Sequence, residues 1–157
     1  MTNTKLAAVA AEASPRTRPS IYPEPFAARV QGRVKRPLGD LFGLAAFGVN
    51  LTRLPPGAQS ALLHRHTQQD EFVYLLEGEV ALVTEAGEET LRAGMCAGFK
   101  AGGAAHHLIN RAASDAVFLE VGNRPAADQV EYPADDLKAV MGDDGKWRVA
   151  HKDGSLY

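Results

Sequence analysis

Apolar residues in the middle of the chain come in short runs with the period of extended backbone, and glycine, proline or charged pairs separate them. Residues 30–34 and 44–54 read as strands, the second stopped by Pro55-Pro56-Gly57. Residues 60–66 follow with Ser60, Leu62, His64 and His66 on one face, because residues two apart on a strand project to the same side. Residues 71–76 form the next strand and turn at Glu77-Gly78. Residues 80–85 and 88–91 pair around Ala86-Gly87, and residues 106–110 and 116–121 complete the set before Gly122. Strands at this spacing with glycine turns predict an all-β sandwich or barrel.

Both faces of one strand are apolar. In residues 71–78, "EFVYLLEG", Val73 and Leu75 share the side of Glu71, while Phe72, Tyr74 and Leu76 make an equally apolar opposite side. With Leu63 on the adjoining strand, that side needs a cover, and a two-fold homodimer is the expected one.

The chain ends differ in composition from this middle. Residues 1–25 read as a flexible arm, because Pro15, Pro19, Pro23 and Pro25 forbid a continuous helix and little apolar surface is on offer. The alanine-rich patch near Lys5 is too short for a secretory signal and is followed by Glu12. Residues 26–124 form the barrel and residues 125–157 an extension packed on it. In the extension, "YPADDLKAV" predicts a short helix with acids in its first turn, and "DDGKWRVAHKDG" predicts one strand between Asp-Gly turns, anchored by Trp147. His151 is expected at the surface.

A chain of 157 residues is sized for one compact core. Its net charge of −2, with acids and bases interspersed, marks no nucleic-acid or anionic-membrane surface, and no stretch approaches a membrane span. The lone Cys96 cannot form an internal disulfide, which points to a reducing compartment; a cytoplasmic location and a packing role for Cys96 are expected.

Candidate chemistry is concentrated in two segments. "GAQSALLHRHTQQDEFVYLLEG", from Gly57 to Gly78, carries His64 and His66 on one strand face and Glu71 at the start of the next strand. "GMCAGFKAGGAAHHLIN", from Gly94 to Asn110, adds His106 and His107. Three neutral imidazoles and one carboxylate suit a divalent transition metal (Zn, Ni, Fe, Mn or Co) and leave positions of an octahedral ion open for water or substrate. A closed structural site would more often use cysteine.

The first segment resembles the first motif of the cupin superfamily through Gly57, His64, His66, Glu71 and Gly78, and the second resembles the second motif through Gly94, Gly102, His106 and Asn110. The chain departs from the pattern with one extra residue between Gly57 and His64, Lys100 in place of a proline, and one extra residue between Gly102 and His106. The resemblance spans about residues 42–124 and implies a double-stranded β-helix, or jelly roll, of the two-motif single-domain type. It implies His64, His66, Glu71 and His106 as ligands of one divalent ion, the His-x-x-x-Asn spacing favouring His106 over His107. It also implies a small-molecule pocket, without choosing among dioxygenases, isomerases, decarboxylases, lyases and non-catalytic binding or sensory proteins. A metal-dependent enzyme of the dioxygenase, isomerase or lyase type, acting on a small organic metabolite, is the leading expectation. A binding or sensory module is the alternative. Leu62, Val73, Leu75 and Leu108 are expected to give the pocket an apolar wall, with Asn50, Thr52 and Asn110 as candidate polar exceptions.

Overall fold

The computed structural model describes residues 6–157. Twelve strands run through it: β1 (Val34–Pro37), β2 (Phe47–Leu54), β3 (Arg65–His66), β4 (Glu71–Glu77), β5 (Glu79–Thr84), β6 (Gly87–Arg92), β7 (Cys96–Phe99), β8 (His106–Ile109), β9 (Ala116–Asn123), β10 (Gln129–Glu131), β11 (Lys138–Met141) and β12 (Trp147–Ala150). All pairings are antiparallel, in sheets ordered β1-β2-β9-β4-β7, β12-β11-β10-β3 and β6-β5-β8. This is the expected all-β double-stranded β-helix.

The five-stranded and three-stranded sheets bury Leu54, Val73, Leu75, Val80, Leu91, Leu108 and Phe118 between them. A second cluster, Val30, Leu62, Val130, Tyr132, Leu137 and Ala139, joins the C-terminal strands to the segment around Tyr22 and Phe26. Removing these side chains from water is the main favourable term holding the layers together.

Several elements differ from the sequence expectation. The first predicted strand is displaced: residues Ala27–Val30 form a 3-10 turn and β1 begins only at Val34. The expected helix after Tyr132 is a turn followed by β11, because Leu137 and Ala139 alternate into the second core, and that burial outweighs local propensity. The sequence pattern predicts neither β7 nor β10. Cys96 lies exposed on β7, where it pairs with Tyr74 across the sheet.

The first ligand segment is not a continuous strand. It bridges the β8 region at Gln59↔Ile109 and again at His64↔His106, so five steps on one side oppose three on the other and two residues are extruded. The Arg33 guanidinium holds the extruded region by donating to the Ser60 carbonyl. After His64 the segment leaves β8 and pairs with β10, Val130 lying opposite His66.

Candidate metal centre

Strand register sorts the inner face of the five-stranded sheet into layers. Leu75, Phe118 and Thr52 form one rung, Val73, Glu120 and Asn50 the next, and Glu71, Gly122 and Gly48 the third. The innermost rung is fully buried; the outer two grow polar and end opposite two glycines. A cavity of about 1420 Å³ opens there, with His64, His66, His106, Glu71, Glu120 and Asn50 on its wall. The expected apolar wall is therefore only partial. Val73 and Leu108 line the cavity, but Leu62 and Leu75 do not reach it and belong to the two cores.

His64, His66 and Glu71 present ligand atoms that all lie within 4.8 Å of one another, so this triad could hold a metal ion. Glu71 Oε2 lies 3.5 Å from His64 Nε2, 3.7 Å from His66 Nε2 and 3.1 Å from His106 Nε2. Each of these rings uses its other nitrogen elsewhere. His64 Nδ1 donates to the Leu62 carbonyl at 2.8 Å, His66 Nδ1 to Asp128 Oδ2 at 2.5 Å, and His106 Nδ1 to the Ala104 carbonyl at 3.4 Å. A carbonyl oxygen can only accept, and a carboxylate is an acceptor too, so the proton sits on Nδ1 and the Nε2 lone pair is free.

Glu71 Oε2 is itself buried with no hydrogen-bond partner, despite the three imidazole nitrogens around it. A buried carboxylate oxygen without a donor is costly, and a cation shared with lone-pair nitrogens offsets that cost. The donor set thus fits a divalent ion of the transition series. Burial alone would raise the Glu71 carboxyl, whereas contacts to His106 and His64 and the charges of His64 and His66, wherever those rings take up a second proton, lower it below the ordinary carboxylate range. Burial pushes the His106 imidazole down, toward its neutral form.

His107 turns the other way from His106. Its Nδ1 meets the Ala61 carbonyl at 3.0 Å, whereas His106, though outside the His64, His66 and Glu71 triad, brings Nε2 to 3.1 Å from Glu71 Oε2. The extra residue after Gly102 is absorbed in a turn before β8. Gly102 takes φ +66° and donates its N–H to the His66 carbonyl at 2.8 Å, while a Cβ on Gly103 would meet the Lys100 carbonyl at 2.8 Å. The turn therefore ties the second motif to the first without moving His106 off the inner face.

Several site residues lie outside both motifs. Asp128, 2 % exposed, also accepts from the Gln68 N–H at 2.9 Å and so fixes the His66 ring from behind. Tyr132 stacks on His64 at 6.2 Å between ring centroids and meets Tyr22 edge-on at 5.7 Å. Burial raises both phenols, Tyr132 most, so each remains an O–H donor. Phe99 lies parallel to His106, and Trp147 meets His66 edge-on. Periodicity points to neither Asp128 nor Tyr132; the Asp-x-Val-x-Tyr alternation of residues 128–132 is the local signal. Asn110 is structural, with Nδ2 donating to the Leu54 and Ser114 carbonyls and Oδ1 accepting from the Ala112 N–H. His151 pairs with Asp136 in the C-terminal segment, apart from the cluster.

An antiparallel β-barrel with a histidine-carboxylate cluster that could hold a metal ion on its cavity wall is a recognisable class of barrel protein. The Cupin domain family matches residues 50–122. A sugar phosphate isomerase of the cupin superfamily from Silicibacter pomeroyi is 42% identical, with 88% of each chain covered and a TM-score of 0.83. A protein proposed to be a sugar phosphate isomerase, from Acidithiobacillus ferrooxidans, is 30% identical over 80% of each chain, with a TM-score of 0.72. A predicted oxalate decarboxylase from Thermotoga maritima, 21% identical over 75% of this chain and 98% of that one, shares the fold at a TM-score of 0.60. No curated protein matches the sequence. The chain belongs to the cupin superfamily. Among the described residues, no helix is long and apolar enough to cross a membrane.

Proposed function

We propose that this protein is a metal-dependent isomerase of a small hydroxylated metabolite, with a phosphorylated sugar as the substrate class. His64, His66, Glu71 and His106 hold one divalent ion, of Zn, Ni, Fe, Mn or Co. When bound, the ion supplies Lewis acidity toward vicinal oxygens of the substrate.

The observation that carries the reading is the polar rung beside the cluster. Glu120 on β9 faces the same cavity as Glu71, diagonally across one strand pairing, a placement that puts the two backbones about 7–8 Å apart. Lys35 binds Glu120 Oε2 at 2.8 Å and Thr52 Oγ1 binds it at 3.0 Å, so the carboxylate is held in one place. Aldose-ketose isomerisation needs such a base. One proton leaves the carbon next to the carbonyl and returns to the former carbonyl carbon, while another passes between the two oxygens, and no oxidant or reductant is consumed. Glu120 carries the carbon-bound proton, and Asn50 offers its amide to a substrate hydroxyl. The polar rung favours a hydroxylated substrate over a ring hydrocarbon, and the 42% identity to the Silicibacter pomeroyi isomerase supports the same direction.

The test is proton exchange. Metal-loaded protein incubated in D2O with a panel of aldose and ketose phosphates should interconvert one pair and place deuterium on the reacting carbon. Glu120→Gln should lower turnover by about 100-fold or more while keeping the metal. Interconversion at the wild-type rate in Glu120→Gln, or none with any member of the panel, would remove the reading.

A further inference from the structure

Four guanidinium groups line the cavity that holds the histidine cluster; Arg124 is paired with Asp40, and the other three are Arg16 and Arg18 from the N-terminal segment and Arg33 just before β1. Among the described residues, none of these three has a carboxylate within 4.0 Å. The nearby acids are committed elsewhere, Asp40 to Arg124 at 2.9 Å and Glu120 to Lys35 at 2.8 Å. Three like charges lining one opening repel one another, and among the described residues only the more distant Asp40 acts against that repulsion at Arg16. We propose that Arg16, Arg18 and Arg33 form an anion subsite that takes the phosphate of the substrate while the sugar oxygens reach the metal centre; this rests on the isomerase reading for the identity of the substrate.

The subsite is prepared rather than adventitious. The Arg16 N–H donates to the Lys35 carbonyl at 2.7 Å and Arg36 Nη1 donates to the Ala13 carbonyl at 2.5 Å, which pins the arm alongside β1. Pro15 and Pro19 restrict the backbone on either side of the two arginines. Arg33 is held through the Ser60 carbonyl and, at 3.5 Å, through Ser20 Oγ, and this leaves other N–H groups of its five for a ligand. Burial and the charges of Arg18 and Arg33 lower the Arg16 guanidinium from its ordinary value, against the pull of Asp40. An anion seated among the three relieves that repulsion. Guanidinium groups recognise phosphate by paired N–H donors, and such charge-assisted bonds are about twice as strong as neutral ones. A cluster of three beside a metal cavity fits one small phosphate, and the chain's net charge of −2 gives no wider basic surface for a nucleic acid.

The subsite also gives the N-terminal segment a role. Tyr22, on that segment, meets Tyr132, which stacks on His64, so the arm is packed into the site from the histidines outward to the arginines.

The test uses full-length metal-loaded protein and calorimetric titration with inorganic phosphate, a ketohexose 6-phosphate, the unphosphorylated ketose and acetate. Phosphate should bind, weakening as salt is raised, and the phosphorylated ketose should bind at least about tenfold tighter than the ketose alone. The double variant R16Q/R18Q, on exposed positions, should lose at least about tenfold in phosphate affinity with the metal content unchanged. R33Q should do the same, but it also frees the Ser60 carbonyl, so the double variant decides. Equal affinity for the phosphorylated and plain ketose, acetate binding as tightly as phosphate, or phosphate binding untouched by R16Q/R18Q would each overturn the subsite. Phosphate binding without any isomerisation would leave the subsite standing and remove the isomerase reading; isomerisation indifferent to R16Q/R18Q would do the reverse.

Discussion

The Nδ1 of His66 donates to Oδ2 of Asp128 at 2.5 Å across 62 residues of sequence, tying a metal-site candidate to the segment beyond the matched domain. Asp128 sits between β9 and β10, and Val130 of β10 pairs directly with His66, so the C-terminal strands hold this ring on two sides. Asp128→Asn replaces an acceptor with an amide that can turn its donor side to the ring and favour the wrong tautomer. Metal affinity should fall by about 10–100-fold. Titration of the apo protein with Zn or Mn, read by calorimetry, checks this; an affinity equal to wild type would show that Asp128 only ties the loop.

Removal of ligands should follow the inner and outer faces of β8 and the segment before it. His66→Ala and His106→Ala should each cut metal content sharply, since each takes away an Nε2 aimed at Glu71. His107→Ala should leave the metal in place, because His107 bonds to Ala61 on the other side of the strand. Metal analysis of protein purified without chelator reads the order. Loss in His107→Ala equal to that in His106→Ala would place the second motif in a different register.

The pairing of His64 with His66, the two glycine-flanked segments and the alternation of β4 and β9 could be read directly, because period-2 patterns and ligand spacing are local. The parts that stayed hidden depend on contacts distant in sequence. Nothing near Asp128 announces His66, and Glu120 reads as one acid in an apolar strand until register sets it opposite Asn50. The helix expected after Tyr132 failed for a related reason. Its acids and proline favour a helix start, yet Leu137 and Ala139 are both fully buried, and only an extended chain puts both into one core.

Gly78 makes the bend between β4 and β5. It takes φ +72°, and a Cβ there would lie 2.6 Å from the Asp115 carbonyl oxygen, a backbone atom that cannot give way cheaply. Gly78→Ala should therefore destabilise by at least about 2 kcal/mol through left-handed strain and the clash together. Gly57→Ala shares the positive φ but has open space, so it should cost about 1 kcal/mol. Paired denaturant melts of the two variants check the order, and equal costs would mean that the backbone at Asp115 shifts freely.

The outer face of the five-stranded sheet carries the prediction of assembly. Cross-strand pairing puts Val49, Val121 and Phe72 in one outward rung and Leu51, Leu119 and Tyr74 in the next, six apolar side chains in a contiguous block. Phe72, Tyr74 and Leu76 remain 43%, 39% and 41% exposed, and the second core places the C-terminal strands against Leu62, Val30 and Tyr22 instead. We propose that a second copy of the chain covers this face about a two-fold axis, which buries the same block on both partners. Sedimentation at micromolar concentration should give twice the mass of 16.8 kDa. Tyr74→Lys, on the β4 side of the block, should convert the dimer to monomer with the metal retained, since its side chain points away from Glu71. A wild-type monomer, or a dimer indifferent to Tyr74→Lys, would exclude this face as the interface.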